Sequence, residues 1–196
     1  MAVRRYLISV DLEGVTGVAT RHFADTTGKR YELAVAYLHS DLNAVIEGLL
    51  AADPTAEVLV RDAHCNADNL DLRLLHPRAS LIQGWGTGLY MVEGISPEVT
   101  AVLLVGYHAG GHSGTAVLAH TFSGHLREVR VGGRTIDEAG LAGLHAGHFE
   151  VPVIFLAGDD QAVAAARECF PGLTGVAVKR SLARDCSASL SLREAS

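Results

Sequence analysis

The stretch YLISVDLEG, residues 6–14, is a short apolar run that ends abruptly in two acids and a glycine. Its apolar part, residues 6–10, is too short for a stable helix and predicts a β-strand buried on both faces. Mostly apolar runs of the same kind recur at residues 57–62, 80–84, 100–105 and 151–157. Strands like these, separated by helices, are typical of a parallel sheet that is covered on both faces.

Helical patterns lie between these runs. In residues 31–52 the apolar side chains recur every three or four positions, which predicts a helix. Another helix is expected to begin near Asp137. Asp159 is expected to cap a third, through residues 162–168, because a short acidic side chain accepts the unpaired N–H groups of a helix start.

Residues 128–136 have a different pattern, with two alternating runs around Gly132 and Gly133. Two adjacent glycines allow the positive φ angles of a tight turn, so this segment is predicted to be a β-hairpin. Residues 176–178 are predicted as a last strand, and the Ser-rich residues 187–196 receive no assignment. The predicted fold class is α/β, with a mainly parallel sheet flanked by helices and a β-hairpin excursion.

The composition excludes several classes of protein. The chain has 196 residues, enough for one domain, and its 48% hydrophobic and 19% charged residues indicate a globular protein. The net charge of −6 argues against a nucleic-acid binder. The N-terminal apolar run stops at Asp11, too early for a signal or membrane segment. The three cysteines are widely spaced, which fits a reducing compartment, so we expect a cytoplasmic protein.

Residues that can bind metals follow three of the predicted strands. Asp11 and Glu13 come after the first strand, Asp62 and His64 after the second, and His108 after the strand at residues 100–105. Because ligands of parallel sheets bind beyond the carboxyl ends of the strands, we expect these side chains to meet. A mixed set of carboxylates and imidazoles suits zinc, or manganese or cobalt in the same geometry.

Each of these residues also has an ordinary interpretation. Asp11 can cap a turn, and Asp62 can cap a loop or orient a histidine. A single histidine such as His64 or His108 more often packs in the core or lies at the surface. Glu138 is a favourable acid for a first helical turn. The convergence of several strand ends is what favours a metal site.

Segments over nearly the whole chain resemble the zinc-dependent D-aminopeptidases associated with dipeptide-transport operons. The similar stretches, in chain order, are SVDLEGVTGV, VRDAH, LHP, MVEG, GYHA, AHTFS, DEAGL, AGDD and AVKRSLAR. The resemblance implies an α/β fold, two zinc ions per subunit (with manganese or cobalt as possible substitutes), a short peptide as substrate, and a homodecamer that encloses its active sites.

The resemblance also implies roles for particular residues. The metal ligands would be Asp11, Glu13, His64, His108 and Glu138. Asp11 would bridge the two ions; Glu13 and His108 would complete one site, and His64 and Glu138 the other. His120 takes the position of the family's proposed nucleophile.

Two further acids and one histidine are weaker candidates. Asp62 and Glu93 are expected to support the ligands or bind substrate. The glycine-rich stretch between His108 and His120 has about one residue more than the family pattern, which makes His112 an alternative ligand, although a less favoured one.

The resemblance carries an expectation about domains. Family members usually continue for several tens of residues into a small additional domain. We therefore expect a metallohydrolase domain over residues 1–180 and a C-terminal tail over residues 181–196, without that further domain.

The function predicted from these observations is a metal-dependent aminopeptidase that removes N-terminal, D-configured amino acids from short peptides. Two metals can polarise a carbonyl and activate water, and His120 would then act as nucleophile, proton shuttle or oxyanion stabiliser. The alternatives are a binuclear hydrolase of another amide or of a phosphoester, and a non-catalytic metal-binding remnant. No nucleic-acid or membrane partner is expected.

Overall fold

A computed structural model describes residues 3–196 and contains a seven-stranded sheet. In chain order its strands are β1 (Arg5–Val10), β2 (Glu57–Asp62), β3 (Ala79–Ile82), β4 (Val99–Tyr107), β7 (Val153–Asp159), β8 (Thr174–Ala183) and β9 (Cys186–Ser189). The spatial order is β3-β2-β1-β4-β7-β8-β9. All neighbouring pairs are parallel except β8 and β9, which are antiparallel. The predicted α/β class is confirmed.

The remaining elements within the described residues are five α-helices, a short 3-10 helix (Tyr90–Val92) and a small two-stranded sheet. The helices are α1 (Arg21–Ala24), α2 (Tyr31–Ala52), α3 (Glu138–His148), α4 (Asp160–Cys169) and α5 (Leu192–Ala195). The hairpin consists of β5 (Val129–Val131) and β6 (Arg134–Ile136). Gly132 and Gly133 both have positive φ angles, 58° and 80°, as the predicted tight turn requires. Within residues 3–196, no helix has the length and apolar composition needed to cross a membrane.

Helix α2 covers one face of the sheet. Leu38, Leu42 and Ile46 are fully buried and share a core cluster with Ile8 and Val10 of β1. Burial of each such side chain stabilises the folded state by ~1.5–3 kcal/mol. Helices α3 and α4 pack in a second cluster with Leu7 and β4, which covers the opposite face.

The strand order places a crevice beside β1. The chain runs outward from β1 to β2 and β3, and then returns to form β4 on the other side of β1. Ligands of open parallel sheets bind at the carboxyl ends of the strands where the order reverses in this way. The ends of β1 and β4, which carry Asp11 and His108, lie at this point.

The C-terminal segment, most of which received no assignment from the sequence, is folded onto the edge of the sheet. Strand β8 spans ten residues rather than the three predicted, and β9 pairs with it as the last strand of the sheet. The domain boundary expected at residue 180 stays a prediction, although β8 continues across it without a break.

Candidate metal centre

The structure brings together all five residues that were predicted to bind metal. Asp11, Glu13, His64 and His108 follow the carboxyl ends of β1, β2 and β4, and Glu138 is the first residue of α3. Each is between 2% and 7% exposed. Such groups are rarely buried without a partner, so their convergence marks a candidate functional centre.

Asp11 occupies the middle of this cluster. Its Oδ1 lies 3.2 Å from Nδ1 of His64, and its Oδ2 lies 3.4 Å from Nε2 of His108. The two oxygens of one carboxylate therefore face two different histidines. This geometry suits a carboxylate that is shared between two ions.

The other two acids each lie beside one of these histidines. Glu13 Oε2 is 3.0 Å from Nδ1 of His64, and Glu138 Oε1 is 3.6 Å from Nε2 of His108. The resemblance implied the opposite pairing, Glu13 with His108 and Glu138 with His64. The geometry differs because Glu13 and His64 follow the adjacent strands β1 and β2, whereas His108 and Glu138 lie toward β4.

Backbone carbonyls fix the orientation of the histidines. Nε2 of His64 lies 2.9 Å from the carbonyl oxygen of Ala24, and Nδ1 of His108 lies 3.0 Å from that of Ala109. A carbonyl oxygen only accepts, so these nitrogens carry the protons and donate them. The opposite nitrogen of each ring faces the carboxylates, and in the neutral imidazole it carries the lone pair that a metal ion binds. Metal-ligating histidines are commonly oriented in this way.

The charges of the cluster reinforce one another. Burial opposes ionisation of Asp11, but the neighbouring His108 and His64 outweigh it and hold the pKa of this carboxyl well below its usual range. The pKa of Glu13 is lowered against burial, chiefly by His64. The pKa values of His64 and His108 are held well above the usual value, despite burial, by the same acids and Glu138. The centre therefore strongly favours positive charge.

Several atoms of the cluster fit a bound cation. Asp11 Oδ2, Glu13 Oε2 and His108 Nε2 are buried and have no hydrogen-bond partner within residues 3–196. A buried polar atom without a partner costs ~1–3 kcal/mol, so three such atoms in one place indicate a ligand. If Asp11 is shared, each of two ions would have three protein ligands, which are carboxylate oxygens and one histidine nitrogen. Such a ligand set fits zinc.

His120 stands above the cluster and is more accessible. Its Nδ1 lies 2.8 Å from the carbonyl oxygen of Leu118, to which it donates, and its Nε2 lies 3.9 Å from both Glu13 Oε1 and Glu138 Oε1. The side chain is 22% exposed, and its ring stacks on that of His108 with 4.2 Å between centroids. His120 is therefore placed to contact a substrate as well as the buried groups.

A cavity of about 590 Å³ opens onto the cluster. Its walls include Trp85, Tyr90 and Phe122, whose rings contact one another at centroid distances of 4.8 Å and 5.1 Å. The guanidinium of Arg61 lies 4.6 Å from the centroid of the Trp85 ring, on the buried side. Trp85, Tyr90 and Phe122 thus form an aromatic wall of the cavity.

The two weaker candidates act through loops. Asp62 accepts hydrogen bonds from Asn69 and from the backbone N–H of Leu70, and Asn69 in turn donates to the carbonyl of His64. Asp62 therefore holds the loop that carries His64 through its contacts with Asn69 and Leu70. Glu93 accepts hydrogen bonds from the backbone and hydroxyl of Thr87. The cavity lining does not include Glu93, so its contact is with the wall loop.

His112, the alternative ligand, lies outside the donor groups of the cluster and lines a neighbouring cavity. A residue that the sequence did not reveal is Lys179 in β8. It is 2% exposed, and its ammonium donates to the carbonyl oxygens of Glu13, Val15 and Val18. Burial lowers the pKa of Lys179 to about 8. Lys179 thus holds the loop that presents Glu13.

The fold and the cluster together define an α/β protein with a candidate binuclear metal centre. The chain belongs to the M55 peptidase family, described as D-aminopeptidase, whose model matches residues 5–196. This finding confirms the resemblance drawn from the sequence.

Two relatives place the chain within that family. It is 35% identical over 184 residues to a D-aminopeptidase of Bacillus subtilis (strain 168), a match that covers 94% of this chain and 66% of the relative. The solved structure of the zinc-dependent D-aminopeptidase DppA from Bacillus subtilis, described as a self-compartmentalizing protease, superposes with a TM-score of 0.93 at 34% identity. That superposition covers 97% of this chain and 69% of DppA. The chain thus spans about two thirds of the length of these proteins.

Proposed function

We propose that this protein is a zinc-dependent aminopeptidase that removes N-terminal D-amino acids from short peptides with two metal ions per chain. The observation that carries the proposal is the position of Asp11, whose two oxygens face two separate acid–histidine pairs. Membership of the D-aminopeptidase family supports the peptide bond, rather than a phosphoester, as the target. The preference for D-residues rests on that membership alone.

Asp11, Glu13 and His64 would hold one ion, and Asp11, His108 and Glu138 the other. Bound there, the ions would supply Lewis acidity to polarise the scissile carbonyl and activate water. The manganese and cobalt forms remain alternatives that the same donors accept.

His120 would move the proton. In the neutral imidazole the proton lies on Nδ1, which donates to the carbonyl of Leu118, so the lone pair lies on Nε2, which is directed into the cluster. Nε2 can therefore accept a proton from the attacking water and return it to the leaving amine, as a general base and then acid. The aromatic wall of Trp85, Tyr90 and Phe122 would pack against the substrate and limit access of bulk water.

Replacing His120 by alanine tests this assignment. We expect the His120→Ala variant to retain two zinc ions per chain and to lose at least ~100-fold in kcat on a D-alanyl peptide, the usual range for a general base. His148 is an exposed histidine at the end of α3, so His148→Ala is the matched control and should bind zinc and turn over substrate as the wild type does. A near-normal rate for His120→Ala contradicts the assignment, and zinc binding without hydrolysis by the wild type favours a non-catalytic remnant.

We further propose a homo-oligomer, with the decamer as the form that the resemblance implies. DppA is described as self-compartmentalizing, which supports an assembly that encloses its sites. Light scattering after size-exclusion chromatography measures the mass, and a monomer at micromolar concentration contradicts the proposal.

A further inference from the structure

Two cavities meet beside His120. The one above the metal cluster, about 590 Å³, adjoins a second of about 320 Å³. His120, Gly124 and Arg184 line both. A substrate whose reacting bond lies at the cluster can therefore extend past His120 into the second cavity, and Arg184 lies at the junction.

The two cavities differ in charge. The ionisable residues that line the second cavity are three histidines and two arginines, without a carboxylate: His112, His120, His125, Arg127 and Arg184. The first cavity contains the acids of the cluster, together with Asp25 and Asp185. The second cavity thus suits an anionic group.

The backbone of Arg184 is fixed relative to His120. Arg184 lies in the turn between β8 and β9, and its carbonyl accepts a 2.8 Å hydrogen bond from the N–H of Leu118. The carbonyl of Leu118 accepts the hydrogen bond from His120 Nδ1. Ser181 Oγ also accepts from the N–H of Val117, at 3.1 Å. The turn and the catalytic histidine are therefore held to one short segment.

The guanidinium of Arg184 is available to a ligand. Within residues 3–196 it forms no ion pair, whereas that of Arg21, which also lines the first cavity, lies 3.6 Å from the carboxylate of Asp25. A guanidinium presents a planar fork of donors that matches a carboxylate with two parallel hydrogen bonds.

We propose that Arg184 binds the α-carboxylate of the peptide substrate and so makes short peptides with a free C-terminus the preferred class. This inference rests on the proposed function. Each residue extends a peptide by at most ~3.6 Å, so the carboxylate of a di- or tripeptide lies within about 4–7 Å of the reacting carbonyl. Longer chains and C-terminal amides lack the carboxylate at that distance.

Binding to the zinc-loaded protein tests the contact without turnover. One probe is D-alanyl-D-alanine with a reduced, non-hydrolysable peptide bond, and the other is the C-terminal amide of the same compound. Calorimetry measures the affinity of the protein for each probe. We expect the acid to bind wild type about tenfold more tightly than the amide, and Arg184→Leu to abolish the difference. Arg184→Lys should keep part of it. Arg180 lies in β8, four residues before Arg184, is exposed and lines neither cavity, so Arg180→Leu is the matched control and should keep the whole difference.

Hydrolysis of D-alanyl-D-alanine and D-alanyl-D-alaninamide by the same proteins separates the two proposals. Equal binding of acid and amide by wild type, an equal loss of both in Arg184→Leu, or no binding of either probe overturns the subsite. Hydrolysis of both substrates without discrimination leaves the aminopeptidase function standing and removes the subsite. An acid–amide difference that depends on Arg184, without hydrolysis of either substrate, supports the subsite and contradicts the proposed function.

Discussion

Replacing Lys179 by methionine removes the ammonium that holds the loop after β1 while it keeps a side chain of similar length. Three carbonyl oxygens, those of Glu13, Val15 and Val18, lose their charged donor. Because the site of Lys179 is 2% exposed, water does not readily replace it. The loop would then shift, and Glu13 with it.

The magnitude follows from the contacts. A hydrogen bond to a charged group contributes ~1.5–3 kcal/mol, so three amount to roughly 4–9 kcal/mol. These contributions are not additive for three bonds to one ammonium, so we expect a loss of about 3–5 kcal/mol in the free energy of unfolding, the range for removing one partner of a buried charged contact. We expect zinc affinity to fall mainly at the site shared by Glu13 and His64.

Two measurements check this expectation. Denaturant unfolding of the metal-free protein gives the stability change, and competition with a chelating dye gives the two zinc affinities. The chain has one other lysine, Lys29, which is exposed, so Lys29→Met is a matched control. Wild-type stability and two unchanged zinc affinities in Lys179→Met would refute the role given to Lys179.

Two further perturbations test the packing around the site. A Cβ at Gly14 would lie 1.9 Å from the carbonyl oxygen of Tyr107, so Gly14→Ala should lower the free energy of unfolding by at least ~3 kcal/mol. Gly48 lies on an exposed face of α2 with open space around it, so Gly48→Ala should raise the free energy of unfolding by up to ~1 kcal/mol. Thermal unfolding measures both changes, and similar stabilities of the two variants would contradict this expectation. Nε2 of His39 accepts from the N–H of Asp71 at 3.0 Å, and burial lowers the pKa of His39. As the pH falls, the unfolded state therefore binds a proton on His39 before the folded state does, and stability is lost as the pH falls through ~6.5. In His39→Gln the stability should fall less steeply between pH 7.5 and 5.5. An unchanged slope of stability against pH would count against this expectation.

The parts of the fold that the sequence predicted are those with strong local patterns. Helix α2 has the predicted bounds because its apolar stripe repeats over 22 residues. Strands β1 and β2 are apolar enough to be recognised in isolation. Asp11, Glu13, His64 and His108 were found because each follows a strand, and parallel strands bring their carboxyl ends to one edge. Glu138, at the start of α3, was assigned by the family resemblance.

The parts that were missed depend on long-range contacts. Strands β8 and β9 lie at an edge and are largely exposed, so their residues carry no continuous apolar signal. A lysine is rarely buried, and the partners of Lys179 are carbonyl oxygens, which leave no trace in the sequence. Glu13 lies beside His64 because β1 and β2 are adjacent in the sheet. The order of the ligands along the chain does not reveal which strands are adjacent.

The most direct test of the binuclear centre is a crystal structure of the zinc-replete protein with anomalous scattering at the zinc edge. We expect two ions about 3.5–4 Å apart, the usual separation in two-metal sites. One would be bound by Asp11, Glu13 and His64, and the other by Asp11, His108 and Glu138. A single ion, or two ions that do not share Asp11, would contradict it.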